Sequence, residues 1–324
     1  MQNDFWTYSV SLDECRRILC RAGLPPPSSV RRIPRGQVNA VFDLKLADDR
    51  HVILKVQARG PRAEALLQER DASRLLARHL GTPLPEIMDL NSERDILAHN
   101  YALLTHVHGV DGDAAWPEYP EADQAAVMTS LGETLARFHS CPLPAPADLS
   151  ALPTGRRPED WAALQRTRFE RAVGEHARRG YLPPALLTEV RRFWQERAPL
   201  LNQSEALCLL HGDWQLWNVK LRPPSTDVAG VLDLDQVDIG HREFDFAAME
   251  TGILSARPKL RDVFYESYAG QSLPQSESPR RTELYALLRH LDLMLAYRGP
   301  VKFPAGSGSS AEEIARLVTT CPGT

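Results

Sequence analysis

Residues 211–218 and 228–235 constrain this chain more than any other stretch. His211-Gly212-Asp213 is followed by an amide at Asn218 and by a second acid at Asp233, within Val231-Leu232-Asp233-Leu234-Asp235. Leu209 and Leu210 precede the first acid, and Val219 and Leu221 follow the amide. The polar groups therefore ride on a loop between two apolar segments. Residues 228–234 read as a short buried strand that delivers Asp233 at its end. A single loop Asp is commonly a turn or cap residue. An acid, an amide and a strand-borne acid in this order point instead to phosphoryl-transfer chemistry. Such chemistry asks little covalent work of a protein, because its barrier falls through alignment and charge neutralisation. It needs a carboxylate to meet the attacking hydroxyl and hard oxygen ligands for Mg2+.

The N-terminal third supplies matching parts. Val30 to Ile33, a turn at Arg35-Gly36-Gln37-Val38-Asn39, and the alternating Ala40, Phe42, Leu44 and Leu46 read as strand, turn, strand. With one glycine the turn reads as a plain hairpin before it reads as a phosphate loop. A second turn at Asp48-Asp49 leads into His51-Val-Ile-Leu-Lys-Val56, where Val52, Leu54 and Val56 share one face and Ile53 and Lys55 the other. A lysine inside an apolar strand is costly unless it meets an anion or stands on a wet edge. The helical stretch 61–80 carries Ala65, Glu69, Ala72, Leu76 and Leu80 along one stripe, so Glu69 is an acid embedded in an apolar face. Glu64 is the alternative partner for the lysine.

At these residues the chain resembles the aminoglycoside phosphotransferase and choline kinase-like family, whose signature is His-Gly-Asp-x-x-x-x-Asn followed by an apolar-Asp-apolar strand end. Residues 175–183, Glu-His-Ala-Arg-Arg-Gly-Tyr-Leu-Pro, resemble its hygromycin-type branch. The resemblance covers residues 28–295. It implies an α+β, protein-kinase-like bilobal fold: a small lobe of antiparallel strands and one helix over residues 1–104, a hinge at 105–110, and a larger, mainly helical lobe over 111–324. It also implies roles. Asp213 is the expected base, Asn218 and Asp233 the expected magnesium ligands, and Lys55 the phosphate-binding lysine oriented by Glu69. Gly36 and Asn39 face the phosphates, and backbone near Leu104 and Val107 meets the adenine. His211 organises the loop. Gly240-His241-Arg242-Glu243-Phe244-Asp245 resembles the family's Gly-Asp-Pro-x-x-Asp segment, with His241 and Arg242 in place of Asp-Pro; Asp245 is the expected scaffold, capping the next helix and steadying the loop. Residues 131–139 resemble the long helix beneath that loop.

The expected co-substrates are ATP, or GTP, with Mg2+, and a small hydroxylated acceptor of the aminoglycoside kind. Endogenous metabolites such as choline, homoserine or a fructosamine, and macrolides, stay open. A cationic acceptor fits the acids that follow Asp233, so Asp235 and Asp238 are expected to hold its ammonium groups; Asp111, Asp113, Glu118, Glu121 and Asp123 form another acidic run, equally readable as a solvated face. A protein kinase fits less well: Gly212 stands where His-Arg-Asp has Arg, Asp235 where Asp-Phe-Gly has Gly, and no Ala-Pro-Glu follows. A nucleotide-binding pseudoenzyme would have lost the lysine, the base or the metal acid, and all are present. A metal hydrolase built on His211 and Asp213 lacks further ligands nearby, and His106 and His108, with no third His or nearby Cys, read as hinge residues rather than a metal site.

The 324 residues can bury a large core, and a net charge of -4 without a basic run gives no nucleic-acid footprint. Five scattered cysteines, Cys15, Cys20, Cys141, Cys208 and Cys321, include no CxxC pair. No membrane-length apolar run is present, and residues 1–6 lack a signal peptide's basic start. A cytoplasmic protein is expected, and no oligomeric state is encoded. The Pro-rich stretch 141–153 reads as a connector before helices at 159–179 and 185–200, and the Gly/Ser-rich 305–310 as a joint before a last helix at 311–318.

Overall fold

In the computed structural model, the residues described are 8–34, 39–58, 63–143, 152–153, 155–202, 207–255, 257–269, 278–302 and 308–319. In chain order the first elements are α1 (Leu12–Arg21), β1 (Pro27–Ile33), β2 (Ala40–Leu46), β3 (His51–Val56), α2 (Ala63–Leu76), β4 (Ile87–Asn91) and β5 (Tyr101–Thr105). Next come β6 (Val110–Asp111), α3 (Gly112–Ala115), α4 (Glu121–His139), α5 (Pro158–Arg179), α6 (Pro184–Arg197), β7 (Cys208–Leu210) and β8 (Val219–Leu221). The chain continues through β9 (Val228–Val231), β10 (Asp238–Gly240), α7 (Glu243–Glu250), α8 (Pro258–Ala269), α9 (Ser278–Ala296) and α10 (Ser310–Thr319). The chain divides into two compact units, Met1–Gly109 with Ala229–Gln236, and Val110–Val228 with Val237–Thr324.

The first unit is an antiparallel sheet of order β1-β2-β3-β5-β4. Val52, Leu54 and Val56 lie buried in a core with Phe42, Leu44, Tyr101 and Leu103. On the opposite face Ile53 packs against Leu66, Ala102 and Leu104. The alternation expected of β3 thus holds, with both faces covered.

Two expectations for this unit are corrected. It has a second helix, α1, begun by a capping box in which Ser11 and Glu14 satisfy each other's backbone N–H groups, and anchored by the buried Cys15, Ile18 and Leu19. The boundary also shifts. The hinge residues 105–109 cluster with the first unit, as do Ala229–Gln236, which were expected in the larger lobe. Packing explains the shift: a Cβ on Gly230 would meet Val107 Cγ1 at 2.2 Å, and Val231 N–H bonds Pro83 O at 3.1 Å.

The second unit is mainly helical. Trp161, Phe169, Phe193 and Trp194 from α5 and α6 share a core with Leu284, Leu287 and Leu291 of α9 and with Ile314 and Val318 of α10. Phe169 and Trp194 stack with centroids 4.1 Å apart. Helices α4 and α8 run close together because Gly132 leaves room; a Cβ there would lie 2.6 Å from Phe264 O. The pairs β6–β8 and β7–β10 complete this unit's short strands. Residues 175–180, the end of the hygromycin-like segment's helical part, form the last turn of α5, closed by Gly180 in the left-handed conformation at φ 65.

Candidate active site

In the first unit β3 carries Lys55 and α2 carries Glu69, both buried, and the segment after β9 brings up Asp233 and Asp235. Lys55 Nζ donates to Glu69 Oε2 at 2.9 Å and to Asp233 Oδ1 at 2.7 Å, and lies 3.3 Å from Asp235 Oδ2. Asn39 donates from Nδ2 to Asp235 Oδ2 at 3.0 Å. Glu64 is exposed, which leaves Glu69 as the partner reached from α2. Burial works against the charge on Lys55, but Asp233, Asp235 and Glu69 outweigh it and raise its pKa well above the usual value. Burial, countered by Lys55 and reinforced by Asp235 and Asp233, pushes Glu69 up to about 7. Three carboxylates thus face one ammonium, and the surplus negative charge suits a further cation.

Asp233 is not at the end of a regular strand. β9 stops at Val231, and Asp233 takes a left-handed backbone at φ 58 before a single 3-10 turn over Leu234–Gln236. Aspartate tolerates that region better than most residues, and strained backbone of this kind gathers at functional sites. Leu104 and Val107 are buried, Leu104 in the small core beneath β5 and Val107 against Gly230. Gly36 lies outside the described residues.

In the second unit the loop after β7 is fastened from below. Asp245, in the first turn of α7, is fully buried and accepts from His211 N and Gly212 N, each at 2.8 Å. His139, at the end of α4, sits with Nε2 3.0 Å from Asp245 Oδ2 and Nδ1 2.7 Å from Tyr268 Oη. The scaffold expectation for Asp245 is met by these bonds, but the cap expectation is not, because Arg242 occupies the cap position of α7. Gly212 has φ 83, open to glycine at little cost. His211 is buried and its Nδ1 accepts from Asp213 N at 3.2 Å. His241, one of the two departures from the family's Asp-Pro, bonds Tyr285 Oη at 2.7 Å, which also accepts from Trp161 Nε1 at 2.7 Å.

Held this way, Asp213 meets three donors. Asn218 Nδ2 lies 2.9 Å and Trp217 Nε1 3.2 Å from Oδ2, while Arg289 Nη2 of α9 lies 2.5 Å from Oδ1. Burial alone would raise its pKa, yet Arg289, with His211 and Trp217, holds the carboxyl below the usual carboxylate range. Asp213 is therefore an ionised, oriented acceptor of hydrogen bonds at neutral pH. Neither Arg289 nor Trp217 was anticipated. Arg289 lies 76 residues from Asp213 in sequence with no motif around it, whereas Trp217 stood in plain view beside Asn218.

Asp235 and Asp238 have partners other than those expected. Asp235 belongs with Lys55 and Asn39. Asp238, in the second unit, pairs with Arg156, and burial, opposed by that arginine, raises its pKa. Both carboxylates are thus engaged by the protein's own donors, Asp238 by an arginine and Asp235 by a lysine that it shares with two other acids. Asp111, from the other acidic run, pairs with Lys220 at 2.6 Å.

For Mg2+ the donor types present in each unit, taken by itself, are suitable. Asp233 offers a carboxylate, and Asn218 spends its amide nitrogen on Asp213, which keeps its amide oxygen out of those bonds. Among the described residues no group of three or more His, Cys, Asp or Glu could hold a metal alone. Mg2+ is ordinarily held through one or two carboxylates with phosphates and water.

An antiparallel sheet unit and a mainly helical unit carrying these side chains define a kinase-like phosphotransferase class. A model of the phosphotransferase enzyme family matches residues 29–285, and this chain belongs to that family. It is 28% identical over 202 residues to an aminoglycoside 3'-phosphotransferase of Streptomyces fradiae, covering 60% of this chain and 67% of that protein. It is 29% identical over 241 residues to acyl-CoA dehydrogenase family member 11 of Gallus gallus, covering 71% of this chain and 30% of that protein. The chain spans between 20% and 30% of the length of the first such dehydrogenase-family relatives. Among solved structures, the GDP complex of an aminoglycoside 2'-phosphotransferase superposes with a TM-score of 0.67 at 15% identity, over 93% of this chain and 95% of that one. That likeness shows the protein-kinase-like fold. Among the described residues no helix is long and apolar enough to cross a membrane.

Proposed function

We propose that this phosphotransferase is a small-molecule kinase that moves the γ-phosphoryl group of ATP or GTP onto a hydroxyl of a small acceptor, the aminoglycosides being the first class to test. The observation that carries the reading is the Lys55 cluster: a buried strand lysine paired with a helix glutamate, here Glu69, is the arrangement that receives nucleotide phosphates in kinases, and Asp233 stands 2.7 Å from the same ammonium. In the reaction the acceptor oxygen forms a bond to the γ-phosphorus, the bond from that phosphorus to the β,γ-bridging oxygen breaks, and the nucleoside diphosphate leaves. Asp213 accepts a hydrogen bond from the acceptor hydroxyl and directs its lone pair, and the hydroxyl proton passes to Asp213 or onward to water. A carboxylate held by three donors is a weak base, which suits a loose transition state in which orientation matters more than early deprotonation. Lys55 binds α- and β-phosphate oxygens. Asp233 and Asn218 would hold Mg2+, which supplies neutralisation of charge on the phosphate oxygens.

The dehydrogenase part of the longer relatives' name is not transferred, because this chain spans less than a third of them. The reading is tested by coupled detection of ADP or GDP release against a panel of hydroxylated compounds with Mg2+ and either nucleotide. Turnover that needs acceptor, nucleotide and Mg2+ together supports it. Nucleotide-independent hydrolysis of an acceptor, or nucleotide binding with no transfer to any acceptor, would overturn it.

A further inference from the structure

Trp214 and Trp217 stand in one loop and meet opposite fates. Trp214 is fully buried, its ring 5.4 Å from His211 and 6.2 Å from Phe138. Trp217 is 44% exposed, and its Nε1 donates to Asp213 Oδ2. Isolated exposed hydrophobic side chains are ordinary on a protein surface. This one differs because its polar edge is tied to the carboxylate that meets the acceptor hydroxyl, which leaves the indole face beside it.

The partners of the acids sharpen the point. Asp213 Oδ1 is taken by Arg289, Asp238 by Arg156, and Asp235 by Lys55 and Asn39. The acids first expected to grip an acceptor through ammonium groups are thereby occupied, whereas an aromatic face next to the base is available. Small-molecule sites commonly combine such a surface with a few oriented polar groups.

We propose that Trp217 is the acceptor-stacking residue: its indole face receives the C–H face of a hydroxylated ring, of the kind a sugar presents, and so places one ring hydroxyl on Asp213. The proposal rests on the kinase reading of Asp213. It specifies a ring-bearing acceptor selected by stacking rather than by carboxylates. An aromatic ring supplies a large apolar contact at low conformational cost, while its N–H holds the base in register.

The test uses the full chain, ATP or GTP with Mg2+, and two groups of acceptors: kanamycin, erythromycin and methyl glucoside as ring compounds, homoserine and choline as open-chain ones. Trp217→Phe keeps a face and loses the N–H; Trp217→Ala loses both. The best acceptor is expected to be a ring compound. Its KM should rise about tenfold or more in Trp217→Ala and stay within about threefold of wild type in Trp217→Phe, with nucleotide KM unchanged in both. Equal falls in kcat in the two variants with acceptor KM unmoved would assign Trp217 to orienting the base alone and overturn the proposal. So would a best acceptor that is open-chain. A wild-type protein silent toward the whole panel removes the kinase reading, and the inference with it, and is told apart because the failure precedes any substitution. Equal melting temperatures for the three proteins exclude a folding defect.

Discussion

Each side chain at the candidate site serves through its partner, so single substitutions should separate binding from transfer. Asp213→Asn keeps the shape and much of the hydrogen bonding of the loop but removes the negative charge. Turnover should fall by about 10²- to 10⁴-fold while the nucleotide dissociation constant, read by calorimetry, stays within about twofold of wild type. Lost nucleotide binding in a folded variant would move Asp213 out of the base role. Arg289 poses the complementary question. Its guanidinium lies 2.5 Å from Asp213 Oδ1, a charge-assisted contact worth roughly 1.5 to 3 kcal/mol in a buried setting. Arg289→Met should lower kcat by about tenfold to a hundredfold, and Arg289→Lys, or added guanidinium with Arg289→Ala, should restore part of it. A variant with wild-type kcat would show that Asp213 is oriented well enough by Asn218 and Trp217. Lys55 and Glu69 were legible in sequence because a charge inside an apolar strand and an acid inside an apolar helical stripe demand each other. Arg289 was not, because its helix shows no anomaly and its partner comes from distant chain.

At the scale of elements, β9 and the turn after it decide where Asp233 stands. Gly230 lets Val107 approach; a Cβ there would sit 2.2 Å from Val107 Cγ1 and 3.1 Å from Pro83 O. Gly230→Ala must therefore displace the segment that leads to Asp233. Overpacking of this kind costs about 1 to 3 kcal/mol, and the thermal midpoint should fall with it. Stabilisation by Mg-ATP should shrink as well, whereas Gly174→Ala in α5, where a Cβ meets nothing within 4 Å, should leave both intact. Equal behaviour of the two variants would disconnect Gly230 from the site. The apolar patterns of β3, α2 and β9 made their existence readable. The left-handed turn at Asp233 was hidden, since it comes from tertiary packing and not from a turn-forming pair. Helix α1 went unread although Ser11 and Glu14 hold the spacing of a capping box; its apolar stripe of Cys15, Ile18 and Leu19 is short, and the charged residues around it, Arg16 and Arg17 among them, make the segment polar as a whole.

Across the whole molecule, histidines sealed in the helical unit set a limit on the acid side. Burial, with help from Arg289 and Arg316, lowers the pKa of His290 to about 3, and burial also lowers that of His176. An unfolded histidine titrates near 6.5. Between about pH 6.5 and 3 the unfolded chain therefore binds a proton at position 290 that the folded chain refuses. Where the unfolded state holds more protons, stability rises with pH, so this group withdraws stability as pH falls through 6.5, at a limiting slope of about 1.4 kcal/mol per pH unit. Above pH 7 both states leave it neutral and the effect vanishes. Urea denaturation of wild type and His290→Gln at pH 7.5 and pH 5 isolates the contribution. The substitution is expected to lower stability at pH 7.5 through lost packing, and to lessen the further loss on going to pH 5 by about 1 to 2 kcal/mol. Should wild type and variant lose the same amount between the two pH values, His290 would have to be protonated in the folded protein, and the acid limit would have to be sought in other buried groups of this unit.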